Sequence, residues 1–327
     1  MECRQVCQAD IELLAKYNER MFPQRGAFAT KYIKFLFSKA EYEYLNSVVI
    51  DNNGEIQGQN IASSMQFFYN GEMFDGVWGM DLIINEELRK EAYGLDLMAL
   101  YRKKHKNRFS TGAGPVAVKI HLALGNKWLG EIRKYIGVVN LLGLTTSFLR
   151  GVVSPNKFPQ SVKVKDSIFT RRSVEEVEWR NTPFNNTLWE PARDNSYMRW
   201  RFSDKLHEYA IYRNMKNDNY FVLRTIVKKG ITALVLVDFR CNMQCEEDVE
   251  LMLRTVKIIM RKMWLAILIC GSSHLTLDKK LESFHMYSVG RPRPILGNVR
   301  YKNRKVDIED RKFALVTLAD SDGETLL

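Results

Sequence analysis

A turn of six residues constrains the fold of this 327-residue chain more than any other segment: Arg89, Lys90, Glu91, Ala92, Tyr93 and Gly94. Residues 79–84, just before it, are apolar and predict a buried strand, whereas residues 95 to about 106 are rich in Leu, Met and Ala and predict a helix. A strand that enters a helix through such a turn presents backbone N–H groups at the helix start. The turn therefore predicts an anion site in an α/β chain.

The turn resembles the pyrophosphate loop of the GNAT family of acyl-CoA-dependent acyltransferases, which reads Arg/Gln-x-x-Gly-x-Gly/Ala between a strand and a helix. Arg89, Ala92 and Gly94 occupy these positions, with Ala92 in place of the first glycine. The resemblance implies that the six turn residues bind the pyrophosphate of an acyl-CoA. The alternative is an ordinary surface turn in which Gly94 relieves backbone strain.

The segment after this helix continues the resemblance. Residues 108–112 predict a short strand and residues 116–124 a second helix. GNAT enzymes have a strand here, then a helix that starts with Asn-x-x-Ala and ends with Tyr-x-x-x-Gly. Ala117 and Gly125 match that pattern.

Two positions of the same pattern carry other residues, because Gly114 and His121 stand where the family has Asn and Tyr. The family tyrosine usually lies near the thioester sulfur and protonates the departing thiolate. By this resemblance His121 is a candidate acid, since imidazole exchanges a proton near neutral pH. A core or surface histidine without a catalytic task is the alternative.

Acyl transfer to an amine needs a polarised carbonyl, a deprotonated amine and a protonated leaving thiol. The resemblance implies that backbone N–H groups near Leu82 and Ile84 bind the thioester oxygen. Asp81 on the same strand and Glu72 upstream are the candidate bases. Either carboxylate is equally explained as a solvated group at a strand edge.

Composition predicts an intracellular protein with two domains. A chain of this length with 46% hydrophobic residues can bury a large core. The odd count of five cysteines predicts reduced thiols, and no pair of histidines accompanies the cysteines to form a metal site. The N-terminus lacks the apolar segment of a signal peptide, so we expect a cytoplasmic location.

Two further features bear on partners. Residues 135–149 are uncharged but short for a bilayer span, and we predict a strand followed by a helix, with contact to a membrane or a partner as the alternative. The net charge of +11 and the basic cluster within residues 102–108 indicate acidic partners, although a solvated helix end explains the cluster equally well. No recognisable nucleic-acid-binding motif accompanies the charge.

Residues 1–150 are predicted as the first domain, and residues 151–190, which contain three prolines and a charged stretch at 171–178 and are followed by Pro191, as a linker with one short helix. Beyond it the pattern of strands, helix, strand and helix resumes in residues 191–327. The predicted strands are 208–215, 220–227, 232–239 and 264–270, and the predicted helices are 246–263 and 274–285.

This second half resembles another GNAT-type domain, and residues 197–202 and 320–322 resemble two-domain members of bacterial surface-polysaccharide pathways. Residues 238–246 contain no glycine, so we expect no CoA site there and a role in shaping the acceptor site instead. Arg199 and Arg201 are candidates to bind an acidic or phosphorylated acceptor. They are equally explained as cations that cover Trp200.

Together these features predict an α/β (α+β) chain of two tandem GNAT-like domains, each a mixed twisted sheet flanked by helices. The resemblance implies transfer of an acetyl or other short acyl group from acyl-CoA, without a metal, to an amine such as an amino sugar on a nucleotide or lipid carrier. An aminoacyl-tRNA-dependent transferase of the peptidoglycan-branching type and a non-catalytic GNAT-like binding protein are the alternatives. The oligomeric state stays open.

Overall fold

The computed structural model describes residues 1–149, 151–180, 182–203, 206–301, 304–305 and 314–320. The contacts within these residues group them into two units. The first unit comprises residues 1–67, 73–130 and the described part of 294–309. The second comprises residues 68–72, 131–293 and the described part of 310–327.

Strands and helices alternate along most of the chain. The strands are β1 (Glu2–Gln5), β2 (Val48–Asn52), β3 (Glu55–Tyr69), β4 (Glu72–Ile84), β5 (Arg108–Thr111), β6 (Lys127–Val138), β7 (Ser161–Val164), β8 (Ser167–Arg172), β9 (Glu190–Pro191), β10 (Ala210–Asn214), β11 (Tyr220–Lys228), β12 (Ile231–Arg240), β13 (Ile267–Ser272), β14 (Tyr287–Asn298), β15 (Arg300–Tyr301) and β16 (Arg304–Lys305). The helices are α1 (Asp10–Met21), α2 (Phe28–Phe37), α3 (Tyr93–Lys104), α4 (Pro115–Ala123), α5 (Leu144–Leu149), α6 (Asn195–Phe202), α7 (Glu246–Lys262) and α8 (Leu275–Ser283).

The sheet of the first unit has the strand order β1-β2-β3-β4-β5-β14. β4 and β5 run parallel and are joined by α3, whereas β5 and the end of β14 run antiparallel, with Thr111 opposite Ile295. Helices cover both faces of this sheet. Val77 packs in one cluster with Leu97 of α3, while on the alternate face the Tyr32 hydroxyl of α2 donates to Met80 Sδ at 3.5 Å.

The sheet of the second unit has the strand order β6-β13-β12-β11-β10-β8-β7. β12 and β13 run parallel and are connected by α7, which is the usual way to join parallel neighbours. The buried side of α7 follows helical spacing and packs into the main core of the unit. Its residues are Val249, Met252, Val256, Ile259 and Met260.

A buried ion network ties the last described segment to the second unit. Arg193 donates from Nε and Nη2 to Asp238 at 2.9 and 3.0 Å, and from Nη2 to Asp320 at 2.5 Å. Burial alone raises the pKa of Asp238, but the charges of Arg193 and Arg240 hold that pKa well below its usual value. Asp238 therefore stays ionised, and the network depends on both arginines.

The predicted α/β fold, with mixed sheets flanked by helices, is confirmed, but the grouping of the strands differs from the predicted domain ranges. β6 follows α4 in the chain, yet residues 133–138 pair with β13. The strand that pairs with β5 on its other side is β14, which lies much later in the sequence. The order of the strands along the sequence does not reveal which strands become neighbours in a sheet.

The predicted linker, residues 151–190, also contains sheet structure, because β7 and β8 extend the second sheet beyond β10. The one short helix predicted in this segment is, within the described residues, a 3-10 turn at Pro155–Lys157, and the charged stretch at 171–178 forms no helix. Arg171 pairs with Tyr212 in the sheet, and the next residues form a turn in which the Ser173 and Glu176 side chains accept each other's backbone N–H. Residues 135–149 form the end of β6, a 3-10 turn and α5, and no described helix is long and apolar enough to cross a bilayer.

Replacement of Arg193 by Met should destabilise the protein by roughly 3–5 kcal/mol, because it leaves two buried carboxylates without their main partner. Urea denaturation at neutral pH measures this change. The matched control is Lys165→Met, which breaks an exposed ion pair with Glu247 and should leave the stability close to that of the parent. Equal losses in the two variants would contradict a structural role for the network.

Candidate functional site

β4 and β5 separate at the position where the sequence predicts the thioester site. Their parallel pairing runs from Val77 opposite Arg108 to Gly79 opposite Ser110, and β4 then continues to Ile84. The Val77 N–H donates to Asn107 O at 3.1 Å, so this part of β4 directs the amides of its odd-numbered residues towards β5. The second half of β4 continues past the last residue pair with β5.

A bulge at Asp81 reverses the direction of the amides in that second half. Asp81 has φ +49°, a left-handed conformation that is uncommon for a residue other than glycine. Beyond it the Asn85 N–H donates to Gln57 O of β3 at 2.9 Å, so the amides of Leu82 and Ile84 point away from β3 by alternation. Both amides therefore face the side on which β5 has separated.

The bulge is held by a buried ion pair. Arg25 donates from Nη1 and Nη2 to the two carboxylate oxygens of Asp81, at 2.7 and 2.8 Å. The guanidinium also lies over the rings of Phe22 and Tyr32, with its carbon 4.1 and 5.4 Å from their centroids. Both charged side chains are almost fully buried. This geometry occupies both oxygens of the predicted base, so Asp81 acts here as the anchor of the bulge.

The predicted phosphate turn follows β4 directly. A 3-10 turn at Glu86–Lys90 leads to Ala92, which precedes α3 without a side-chain cap. The amides of Tyr93 and Gly94 therefore begin the helix without an acceptor inside it. Ala92 has φ −73° and ψ −5°, a conformation that any L-residue adopts, so the family's glycine is not required there by the backbone.

Turn and strand meet at Gly94. A Cβ on Gly94 would lie 3.0 Å from Ile84 Cδ1, which is tighter than ordinary packing. Arg89 folds back on the same strand, where its Nε donates to Ile84 O at 3.1 Å. Lys90 and Glu91 are exposed beside it.

A half-buried apolar strip adjoins the turn. Five partly buried side chains pack against the apolar cluster that includes Leu97 of α3. They belong to β4, α3, α4 and the residue after α4, and are Leu82, Ile84, Tyr93, Ile120 and Leu124. An apolar strip beside free backbone donors is the kind of surface that binds a long ligand with one charged end.

His121 lies on α4 and is buried. Asn126 Nδ2 donates to its Nδ1 at 2.6 Å, an arrangement that leaves the proton of the neutral ring on Nε2. Burial, with the charge of Arg108 in addition, lowers the pKa of His121 to about 4. The ring is therefore neutral near pH 7 and can donate one hydrogen bond, but it carries no second proton.

The structure does not bring the two predicted acceptor-binding arginines together. α6 exposes Arg199, whereas Arg201 points inward and donates from Nε to Ala319 O at 2.9 Å. The second unit has an open polar cavity of about 340 Å³ between residues 154 and 211, lined by Arg171, Arg172, Ser173, Glu176 and Glu208 among others. Phe202 and Ser203 also line it, next to the predicted positions.

The corresponding strand-to-helix junction of the second unit has a different character. The first turn of α7 carries Glu246, Glu247 and Asp248, whose charges occupy the end of the helix that attracts anions. Among the described residues no three His, Cys, Asp or Glu side chains are grouped to hold a metal ion, and the five cysteines are free thiols. Glu72 is exposed at the start of β4.

Sequence reasoning missed Arg25. It lies 56 residues before Asp81 in a 3-10 turn, Pro23–Arg25, and no local pattern marks an arginine as the partner of a distant strand. The one available sign was an acidic residue inside an apolar strand, because a buried carboxylate requires a partner.

The pH dependence of stability should report the neutral state of His121. An unfolded histidine binds its proton near pH 6.5, whereas folded His121 does so near pH 4, so stability falls as the pH drops through this window by about 3 kcal/mol in total. Urea denaturation between pH 7.5 and 4.5 should show a shallower fall in His121→Leu than in the parent. His285→Asn, at an exposed histidine, is the control, and a parent-like slope in His121→Leu would contradict the assignment.

Comparison with known proteins bears on the fold. No family model and no curated protein matches the chain. A GCN5-related N-acetyltransferase from Anabaena variabilis ATCC 29413 matches with a TM-score of 0.60 and 11% identity over 91% of this chain and 72% of that chain. A conserved protein of unknown function and probable N-acyltransferase from Enterococcus faecalis V583 matches with a TM-score of 0.58 and 11% identity over 91% and 72%. N-myristoyltransferase of Saccharomyces cerevisiae, with bound myristoyl-CoA, matches with a TM-score of 0.57 and 8% identity over 96% and 89%. At these identities the likeness establishes the fold, which is the GNAT fold.

Proposed function

We propose that the first unit binds an acyl-CoA where β4 leads into α3 and transfers its acyl group to an amine. One observation carries this proposal: β4 separates from β5 after Gly79, and the bulge at Asp81 turns the amides of Leu82 and Ile84 into the gap. Backbone donors held in place before a ligand arrives are what a thioester carbonyl needs when negative charge develops on its oxygen.

The pyrophosphate of the cofactor fits the next feature along the chain. The amides of Tyr93 and Gly94 and the dipole of α3 favour an anion, and Arg89 and Lys90 add positive charge beside them. The strip formed by Leu82, Tyr93 and Ile120 offers an apolar surface to the rest of the cofactor. No metal is required by this arrangement, because amides and cations supply the donors.

The chemical step follows from the same groups. The amine attacks the thioester carbon, the C–S bond breaks as the tetrahedral intermediate collapses, and the electrons leave on sulfur. His121, neutral with its proton on Nε2, stabilises the departing thiolate by a hydrogen bond. Asp81 and Arg25 act as positioning residues, and the amine is deprotonated by solvent or by an acceptor-side group.

The acceptor we propose is an amino sugar on a nucleotide or lipid carrier. It rests on the resemblance of residues 197–202 to two-domain acyltransferases of bacterial surface-polysaccharide pathways; of the second matching segment, Ser321 and Asp322 lie outside the described residues. Exposed Arg199 is the candidate contact for the carrier phosphate, whereas buried Arg201 supports the C-terminal segment. The second unit supplies the acceptor surface, and a cytoplasmic location agrees with the use of acyl-CoA.

Cofactor binding is tested by calorimetric titration of the purified chain with acetyl-CoA. Gly94→Trp should weaken binding by at least 10-fold, because the indole fills the approach to the helix start next to Ile84. Ala99→Trp, at an exposed position on another side of the same helix, is the matched control and should bind like the parent.

The outcomes of that titration separate the alternatives. Absence of binding in the parent would overturn the proposed function and favour a non-catalytic protein or a transferase that uses aminoacyl-tRNA. Equal loss of affinity in the two tryptophan variants would contradict the location of the site. Thermal melting of both variants shows whether they are folded.

His121 is tested by kinetics with acetyl-CoA and a panel of UDP-linked amino sugars, monitored through the released thiol. His121→Ala should lower kcat on the order of 100-fold while leaving acetyl-CoA affinity nearly unchanged, because the hydrogen bond to sulfur strengthens as the thiolate forms. His121→Tyr restores the family's donor and should recover part of the rate. Equal losses in kcat and in acetyl-CoA affinity would show that His121 only supports the fold.

A further inference from the structure

One end of the second unit exposes an unusual number of large apolar side chains. Leu141 and Leu142 are 77% and 75% exposed, and Phe148, Val152 and Trp264 project as well, each more than half exposed. Smaller exposed fractions at Val138, Leu144 and Val227 extend the same group. We call the five residues Leu141, Leu142, Phe148, Val152 and Trp264 the apolar end. Exposed apolar side chains scattered singly are normal, whereas a contiguous group marks an interaction surface.

Sheet topology brings these residues together. Val138 at the end of β6 pairs with Ile267 at the start of β13, which pairs with Ala233 near the start of β12. Trp264 lies three residues before the start of β13, and the segment after β6 covers the same end. There the Thr146 hydroxyl donates to Trp264 O, and the Val153 N–H donates to Thr225 Oγ1 at 2.8 Å.

The segment that carries the apolar end is firmly held. The Ser147 hydroxyl donates to Gly143 O at 2.9 Å and accepts from the Ala266 N–H at 3.0 Å. Asn140 Nδ2 donates to Leu265 O at 3.1 Å, and a Cβ on Gly143 would lie 2.7 Å from the carbonyl carbon of Leu265. The backbone is thus packed, while the leucine, phenylalanine and tryptophan side chains project from it.

The charged residues within the stretches that build the apolar end have one sign. Lys228, the last residue of β11, and Lys229, in the turn that follows, are exposed. In the next strand the Thr232 hydroxyl donates to Gly151 O at 3.4 Å. Arg261 and Lys262, three and two residues before Trp264, are also exposed. The three stretches that build this end, residues 138–153, 226–233 and 260–267, contain no Asp or Glu. The matching partner therefore combines an apolar interior with a negative surface.

We infer that the apolar end docks on an anionic lipid bilayer. Projecting leucine and phenylalanine side chains reach the acyl-chain boundary, tryptophan prefers the interface, and the lysines and arginines meet anionic headgroups. A second copy of the same surface fits poorly, because a symmetric contact would set these cations against one another. α5 has only six residues, so the contact is peripheral and reversible. The inference does not rest on acyl transfer, although it would bring the protein to a lipid-carried acceptor.

The test is co-sedimentation of the full chain with vesicles of phosphatidylcholine alone or with added phosphatidylglycerol. The parent should bind the anionic vesicles, and Leu142→Ser/Phe148→Ser should lose on the order of 10-fold or more in affinity. The matched control is Ile168→Ser/Met215→Ser, which removes two exposed apolar side chains of the same unit outside the apolar end and should bind like the parent.

Four results would overturn the inference. The first is a parent that does not bind anionic vesicles, and the second is equal binding by the two double variants. The third is equal parent binding to neutral and anionic vesicles, which would remove the role of the cations. The fourth is a dimer that forms with rising protein concentration and is lost in Leu142→Ser/Phe148→Ser. Such a dimer would show that the apolar end binds a second copy of the chain. Acetyl-CoA titration of the variants is independent of all four, so it separates this inference from the proposed acyl transfer.

Discussion

The candidate site depends on the buried ion pair between Arg25 and Asp81. Burial of two charges costs desolvation that only close, bidentate geometry offsets, and a well-packed apolar pair can be equally stable. Its value here is geometric. It holds Asp81 at φ +49°, and that single left-handed residue changes which edge of β4 the amides of Leu82 and Ile84 face. Without the bulge, regular alternation would leave those amides directed at β3 and the gap without donors.

The sequence predicted what depends on local pattern. Local pattern makes three elements recognisable: the strand at 79–84, the turn and the helix after it. The spacing of apolar residues and the position of small residues specify each of them within a few positions, and the α/β fold follows from their order. It could not predict the partner of Asp81, since Arg25 is fixed by packing of α1 and α2 against a distant strand. Nor could it predict that β6 joins β13 and that β14 joins β5, because strands of similar composition are interchangeable until the whole sheet is assembled.

His121 illustrates how burial changes the role that a residue type suggests. An exposed histidine exchanges protons near neutral pH, which is why it is a natural candidate for an acid. Burial on α4 favours the uncharged ring, and the hydrogen bond from Asn126 fixes the proton on Nε2. What remains is a neutral donor, similar in charge to the phenol of a tyrosine. The folded ring can therefore donate one hydrogen bond, but it has no second proton to give.

The junctions at which β4 leads into α3 and β12 leads into α7 differ in their attraction for an anion. Both β4–α3–β5 and β12–α7–β13 join parallel strands through a helix, and the backbone offers the same dipole at each helix start. At α3 the start is uncapped and follows Arg89 and Lys90, so an anion is attracted. At α7 three carboxylates fill the first turn and repel one. Equivalent backbones thus differ in their affinity for an anion through side-chain charge alone.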